Sequence, residues 1–173
     1  CGANNWGEQS IDVKRGIIYV PTGSPKHNFY GGNRHGANLF GDCIIALDAR
    51  TGKRLWHFQT VHHDIWDLDN NSAPQLTTIR QNGRSIDVVA VASKTGYLYV
   101  FDRVSGAPIW PIEERPVPQK TSVPGQYLSP TQPFPTKPAP FSRQSFTVND
   151  LNPYILTDEQ RAQFRERIQK ARN

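Results

Sequence analysis

The stretch His62-His63-Asp64-Ile65-Trp66-Asp67-Leu68-Asp69 places two imidazoles and three carboxylates within eight residues. Side chains of this kind destabilise a fold when buried without partners, so such a run is either solvated or part of a site. Histidine and aspartate are common metal ligands. The spacing matches no zinc signature, however, and adjacent residues on extended chain point to opposite faces, so a metal-only site is poorly supported. Two readings compete with it: a loop whose acids serve turn and cap bonding, and a metal hydrolase built on His62, His63 and Asp64. Two residues elsewhere widen the chemistry, Trp6 in Asn4-Asn5-Trp6-Gly7 and Lys94 in Ser93-Lys94-Thr95-Gly96. If their loops converge on the loop of Asp67, an indole face, a carboxylate and an ammonium meet in one place.

The elements that could bring these loops together are visible as a repeat. Ala46-Leu47-Asp48, Thr51-Gly52-Lys53 and Trp56 are followed by Val100-Phe101-Asp102, Ser105-Gly106 and Trp110, with Asp, Gly and Trp each displaced by 54 positions. In each copy an apolar strand runs into an Asp, a Gly-containing turn and a second strand that leads to Trp, which is a hairpin. Self-similarity at a period of this size indicates repeated sheet units, and such units arranged radially make a propeller whose loops converge near the axis. The fold expected is all-β: part of an eight-bladed β-propeller, about two blades of four-stranded antiparallel sheet. Strand-like runs cover Gly16–Val20, Cys43–Leu47, Arg54–Gln59, Ser85–Ala92 and Tyr97–Phe101. Gly23–Gly41, rich in Gly, Asn, His and aromatics, suits a functional loop.

The organisation expected is propeller blades over 1–114, a Pro-rich crossing loop or insertion over 115–156 and a short helix over 157–173. Ten of the fourteen prolines fall between Pro111 and Pro153, which argues for extended chain that cannot donate to a sheet. Tyr127, Phe134, Phe141 and Phe146 in that tract predict packing on a surface. The last segment opens with Thr157 as N-cap and Gln160 three residues on, and carries Phe164 and Ile168 on one side.

The net charge of +5 is spread rather than focused: residues 1–114 balance, 115–149 contribute +4, and 150–173 add +1. This dilution along a Pro-rich tract lacks the clustering that nucleic-acid readers show, so no nucleic-acid partner is expected. No run of 18 apolar residues or export leader occurs. Cys1 and Cys43 are too few for a disulfide framework, and Cys43 in its apolar run reads as a buried thiol. Two visible repeats are fewer than a closed propeller needs and the sequence has no Met, so a piece of a longer chain is expected.

Asn5-Trp6-Gly7, Tyr19-Val20-Pro21-Thr22-Gly23, Gly31-Gly32-Asn33-Arg34, the repeat from Ala46 to Trp56, His62 to Asp67, Lys94-Thr95-Gly96, Asp102-Arg103 and Ser129 to Phe134 together resemble the catalytic propeller of the pyrroloquinoline quinone (PQQ) dependent dehydrogenases. The match runs from the first residues to about Phe134. The His-Asp-x-Trp-Asp run followed by Lys 27 positions later is its most specific part; the repeat itself also occurs in non-catalytic propeller scaffolds, a reading that remains open at this point. The resemblance implies cofactor binding by Trp6, on which the planar quinone stacks, and by Lys94 at the quinone oxygens. It implies catalytic roles for Asp67, the base that takes the alcohol proton, and for Lys94, which stabilises charge on the reduced quinone. Alcohol-type relatives carry an Asn metal ligand 18 positions after the stacking Trp, where this chain has Ser24; the ligands of the implied divalent metal (Ca or Mg) therefore stay unassigned.

His62-His63-Asp64, Gly31 to Arg34 and Pro130-Thr131-Gln132-Pro133-Phe134 resemble the membrane-bound glucose dehydrogenase branch. This implies a small-molecule sugar or other alcohol as substrate, ubiquinone or a cytochrome as electron acceptor, and a periplasmic location with anchoring through regions outside this chain.

Overall fold

The structure is a computed structural model that describes residues 2–154 and 156–171. Cys1 and the last two positions of the expected 157–173 segment lie outside the described residues. The chain divides into two compact units, residues 1–141 and 142–173.

The first unit is built on antiparallel sheets. Strands β1 (Ser10–Asp12), β2 (Ile17–Pro21), β3 (Cys43–Asp48) and β4 (Arg54–Gln59) form a four-stranded meander in chain order. Strands β5 (Gln75–Gln81), β6 (Arg84–Ala92) and β7 (Leu98–Asp102) form a second sheet. This sheet has three strands where four were expected, because the chain beyond β7 pairs with it only at an isolated bridge between Phe101 and Pro108 before turning away. Alternation creates the faces: Ile17 and Tyr19 on β2, Ile44 and Ala46 on β3, Val89 and Val91 on β6, and Tyr99 and Phe101 on β7 all belong to one buried cluster. The two sheets pack on each other through it, as neighbouring blades of a β-propeller do. Trp56 lies in the seam, its ring 5.9 Å from Tyr19 and 5.7 Å from Phe101, and the Tyr19 hydroxyl donates to the Arg103 carbonyl at 2.8 Å.

The Pro-rich tract departs from the extended loop expected of it. Strands β8 (Ile112–Pro116) and β9 (Thr131–Pro135) pair antiparallel, with Glu113 opposite Phe134 and Arg115 opposite Gln132. Pro133 and Pro135 fall at alternate rungs, opposite Glu114 and Ile112, so the intervening residues keep the amide donors a ladder needs. Of the aromatics expected to pack, Phe134 meets the Tyr97 ring edge-on at 5.9 Å and Tyr127 lies on His63. Phe141 and Phe146 are instead exposed.

In the second unit, helix α1 (Asp158–Lys170) begins at Thr157, whose hydroxyl accepts from the Gln160 amide while the Gln160 side chain accepts from the Thr157 amide. None of its residues is buried. Among the described residues no helix is long and apolar enough to cross a membrane.

Candidate functional site

The sheets have two kinds of end. At one, β3 and β7 turn through Asp48 and Asp102; at the other, β2, β4 and β6 run out into the loops that carry Ser24, Asp67 and Lys94. Backbone bonds tie these loops together. The Thr22 amide donates to the Cys43 carbonyl (2.8 Å) and the Gly23 amide to the Asn4 carbonyl (2.9 Å), which draws the stretch containing Trp6 against the end of β2. Gly23 is required by this approach, because a Cβ there would lie 2.4 Å from Asp69 Oδ1 and 3.0 Å from Trp6 Nε1. In the loop after β4, Asp64 caps its own turn: its two carboxylate oxygens accept from the Trp66 and Leu68 amides, both at 2.8 Å. The turn places Asp67 in the left-handed region at φ 59°, where Asp is tolerated better than most side chains. Buried Arg34 braces it by donating to the Asp64 carbonyl at 2.7 Å.

The three loops meet. Lys94 Nζ lies 5.7 Å from the centroid of the Trp6 ring and donates to Asp67 Oδ2 at 3.0 Å and to Asp69 Oδ2 at 2.5 Å. Asp67 Oδ1 accepts from the Asn28 side-chain amide. The bond from Lys94, joined by that from Asn28, outweighs partial burial and holds the Asp67 carboxyl below the usual range. Bonding to Asp69 and then to Asp67 raises the Lys94 ammonium. One ammonium is thus shared between the side chains of Asp67 and Asp69. Trp6 keeps 56% of its surface exposed, with the ammonium over its ring.

His62, His63 and Asp64 do other work. His62 bonds Gln59 (2.8 Å) and Glu114 (3.0 Å), and its backbone exchanges two bonds with the Gln132 side chain, joining the loop to the β8–β9 pair. His63 is buried, with Nδ1 2.9 Å from the Gly36 carbonyl and its ring 4.1 Å from that of Tyr127. Each imidazole is engaged by a different element, which leaves the hydrolase reading without a metal cage. No group of three His, Cys, Asp or Glu side chains placed to hold a metal ion occurs among the described residues. At the position of the expected Asn ligand, the Ser24 amide donates to Asp69 Oδ1 at 2.7 Å and the hydroxyl is buried without a partner.

Reading the sequence missed three residues here. Asp69 was visible only as one more acid of the run, because it is the left-handed turn at Asp67 that brings both side chains to Lys94. Asn28 had no signal beyond its place in the Gly23–Gly41 loop. Asp42 is fully buried with both carboxylate oxygens unpartnered, and burial, helped by the charges of Asp64, Asp69 and Asp67, pushes it up to about 9. It is therefore neutral at pH 7.

This geometry has relatives. Residues 1–173 match the sequence profile described as PQQ glucose/ethanol/alcohol dehydrogenase, β-propeller domain. The quinoprotein glucose dehydrogenase of Escherichia coli is 41% identical over 132 residues, covering 76% of this chain and 16% of that enzyme. The glycerol dehydrogenase large subunit of Gluconobacter oxydans is 39% identical over 135 residues, covering 77% of this chain and 18% of that protein. Among solved structures, the quinohemoprotein alcohol dehydrogenase of Comamonas testosteroni superposes with a TM-score of 0.60 at 29% identity, over 78% of this chain and 20% of that one. The chain thus spans about a sixth of the length of the curated relatives it matches. With two stacked sheets, a repeated Asp-Gly-Trp hairpin and a profile match along its whole length, the chain belongs to the PQQ-dependent glucose/ethanol/alcohol dehydrogenase β-propeller family.

Proposed function

We propose that this chain is the part of a PQQ-dependent dehydrogenase that supplies the cofactor's stacking face, the base and the cation of the reaction. The observation that carries the reading is the convergence of Trp6, Asp67 and Lys94 from three separate loops, with the ammonium over the indole and bonded to the carboxylate. The site fits the cofactor on its own terms. The exposed indole offers a broad apolar plate to a flat ring, and the adjacent ammonium favours an anionic one. Bound PQQ supplies the two-electron acceptor, which no side chain here can be. The protein's part is to hold the ring against Trp6, to place positive charge from Lys94 where negative charge develops, and to accept the hydroxyl proton of the substrate on Asp67.

A sugar or other alcohol is the substrate class, supported by relatives named for glucose and glycerol at about 40% identity. Ubiquinone or a cytochrome accepts the electrons, and the enzyme works in the periplasm, anchored through regions outside this chain. A divalent metal, Ca or Mg, takes most of its ligands from outside the described residues, since these present no group of three ligating side chains.

Absorbance titration of the full-length protein with PQQ and calcium or magnesium tests the reading. Saturable uptake that is lost in Trp6→Ala is expected. Absence of uptake by the unaltered protein would favour a non-catalytic propeller scaffold instead.

A further inference from the structure

We propose that Asp69 is the positioning residue for Lys94: a buried carboxylate that keeps the ammonium beside the Trp6 face, so that Lys94 can leave Asp67 for the cofactor without losing its ion pair. This rests on the reading of Trp6, Asp67 and Lys94 as a cofactor site.

Lys94 is divided between two carboxylates that are not equivalent. The Asp67 side chain keeps 30% of its surface exposed and Asp69 only 4%. Asp67 sits on a left-handed residue of the loop and its other oxygen meets the Asn28 side chain. Asp69 is fixed by main chain. Its carbonyl accepts the Lys94 amide at 3.1 Å and its Oδ1 accepts the Ser24 amide at 2.7 Å, while Gly23 packs so closely that any Cβ would strike that oxygen. One residue thereby holds Lys94 at both its backbone and its ammonium, and ties it to the loop behind Trp6.

The division matters because a carboxylate paired with a cation is a poor proton acceptor. Asp67 becomes an effective base only as the charge of Lys94 turns toward the cofactor oxygens. With Asp67 as its sole partner, the ammonium would lose its ion pair in that movement. With Asp69 behind it, Lys94 gives up one pair of two and stays anchored. Asp69 itself acts only through Lys94.

A double-mutant cycle in the full-length PQQ-loaded enzyme tests this. Asp69→Asn keeps an oxygen for the Ser24 amide and removes the charge facing Lys94. In the unaltered background it is expected to weaken PQQ uptake, read by absorbance titration, and to lower kcat by about 10–100-fold, the range found for groups that orient a site residue, with KM for the sugar little changed. In the Lys94→Gln background the same substitution should add no more than about twofold, because its target is gone. Wild-type uptake and kcat in Asp69→Asn overturn the proposal. So does an equal loss in both backgrounds, including failure to fold in both, which marks Asp69 as merely structural. If Lys94→Gln alone leaves uptake and kcat intact, the site reading fails first and this inference falls with it.

Discussion

The two ends of these sheets spend their aspartates differently. At the turn end, Asp48 Oδ1 accepts from the Arg50 amide (3.1 Å), the Thr51 amide (2.8 Å) and the Thr51 hydroxyl (2.7 Å). Asp102 Oδ1 does the same with Val104 (3.0 Å) and with the Ser105 amide (2.7 Å) and hydroxyl (2.8 Å). All those partners lie within three residues, and each carboxyl is held below its usual range, Asp48 chiefly by Thr51 and Asp102 by its bonds to Ser105 and Val104 working against burial. At the loop end, Asp67 and Asp69 bond Lys94 from 27 and 25 positions away, and Asp42 is buried with no partner for its carboxyl. At the turn end Asp48 and Asp102 are satisfied locally, and Asp12 and Asp87 are matched by two cations from distant segments, Arg15 and Arg103. The loop end gathers carboxyls in excess of partners, with Asp67 and Asp69 sharing Lys94 and Asp42 left unpaired, and a fold tolerates that where the groups are used.

Breaking the loop end should cost activity far more than stability. Asp67→Asn in the full-length enzyme is expected to lower turnover by about 10²–10⁴-fold, the span of a general base, while PQQ uptake and Tm hold. Steady-state rates beside an absorbance titration read both, and unchanged turnover removes Asp67 from the chemistry.

Breaking the turn end should do the reverse. Gly106 is at φ 73° and a Cβ there would lie 2.5 Å from Trp56 Cδ2, whereas Gly52 at φ 71° has no atom within 4 Å. In the 173-residue chain, Gly106→Ala combines left-handed strain with overpacking, about 2–5 kcal/mol together, and Gly52→Ala carries the strain alone, about 1–2 kcal/mol. Chemical denaturation compares them. In a full propeller, where a further indole is expected over Gly52, the two losses should converge; persistence of the difference there would break the equivalence of the repeats.

Asp48→Ala and Asp102→Ala should each lower Tm by a small and similar amount, since the bonds removed are the same; a clear difference in thermal scans would mean that the turns are not equivalent.

Asp42 is read by pH dependence rather than by loss of a contact. Its folded value of about 9 lies above its ordinary 3.8, so between these the native state holds a proton that the unfolded chain releases. Its contribution to stability is therefore present below about pH 4 and declines as pH rises toward 9. Asp42→Asn should flatten the fall of Tm between pH 6 and 9, and a fall of equal slope in the variant would contradict the assignment.

Much of this was legible in the sequence because it is local or periodic. The hairpins follow from Asp48 and Asp102 with their glycines, and the start of α1 follows from Thr157 and Gln160. Strands β2, β3, β4, β6 and β7 were marked by apolar runs that the stacked sheets bury. Strand β5, a largely exposed edge strand of polar composition, had no such alternation to give it away. Strand β9 was masked by Pro133 and Pro135, whose harmless rungs depend on a register that only pairing defines. In the site, residue types and family spacing pointed to Trp6, Asp67 and Lys94. That His63 would be consumed by the Gly36 carbonyl and Tyr127, and that Asp69 would hold Lys94, are properties of tertiary approach and leave no mark on spacing.

One flat redox cofactor is expected where Trp6, Asp67 and Lys94 converge. A crystal structure of the full-length protein with PQQ tests it most directly. The quinone ring is expected parallel to the Trp6 indole, with its oxygens in hydrogen-bonding reach of Lys94 Nζ and the Asp67 carboxylate beside it. PQQ bound elsewhere, with the Lys94 ammonium still closed on both aspartates, would contradict it.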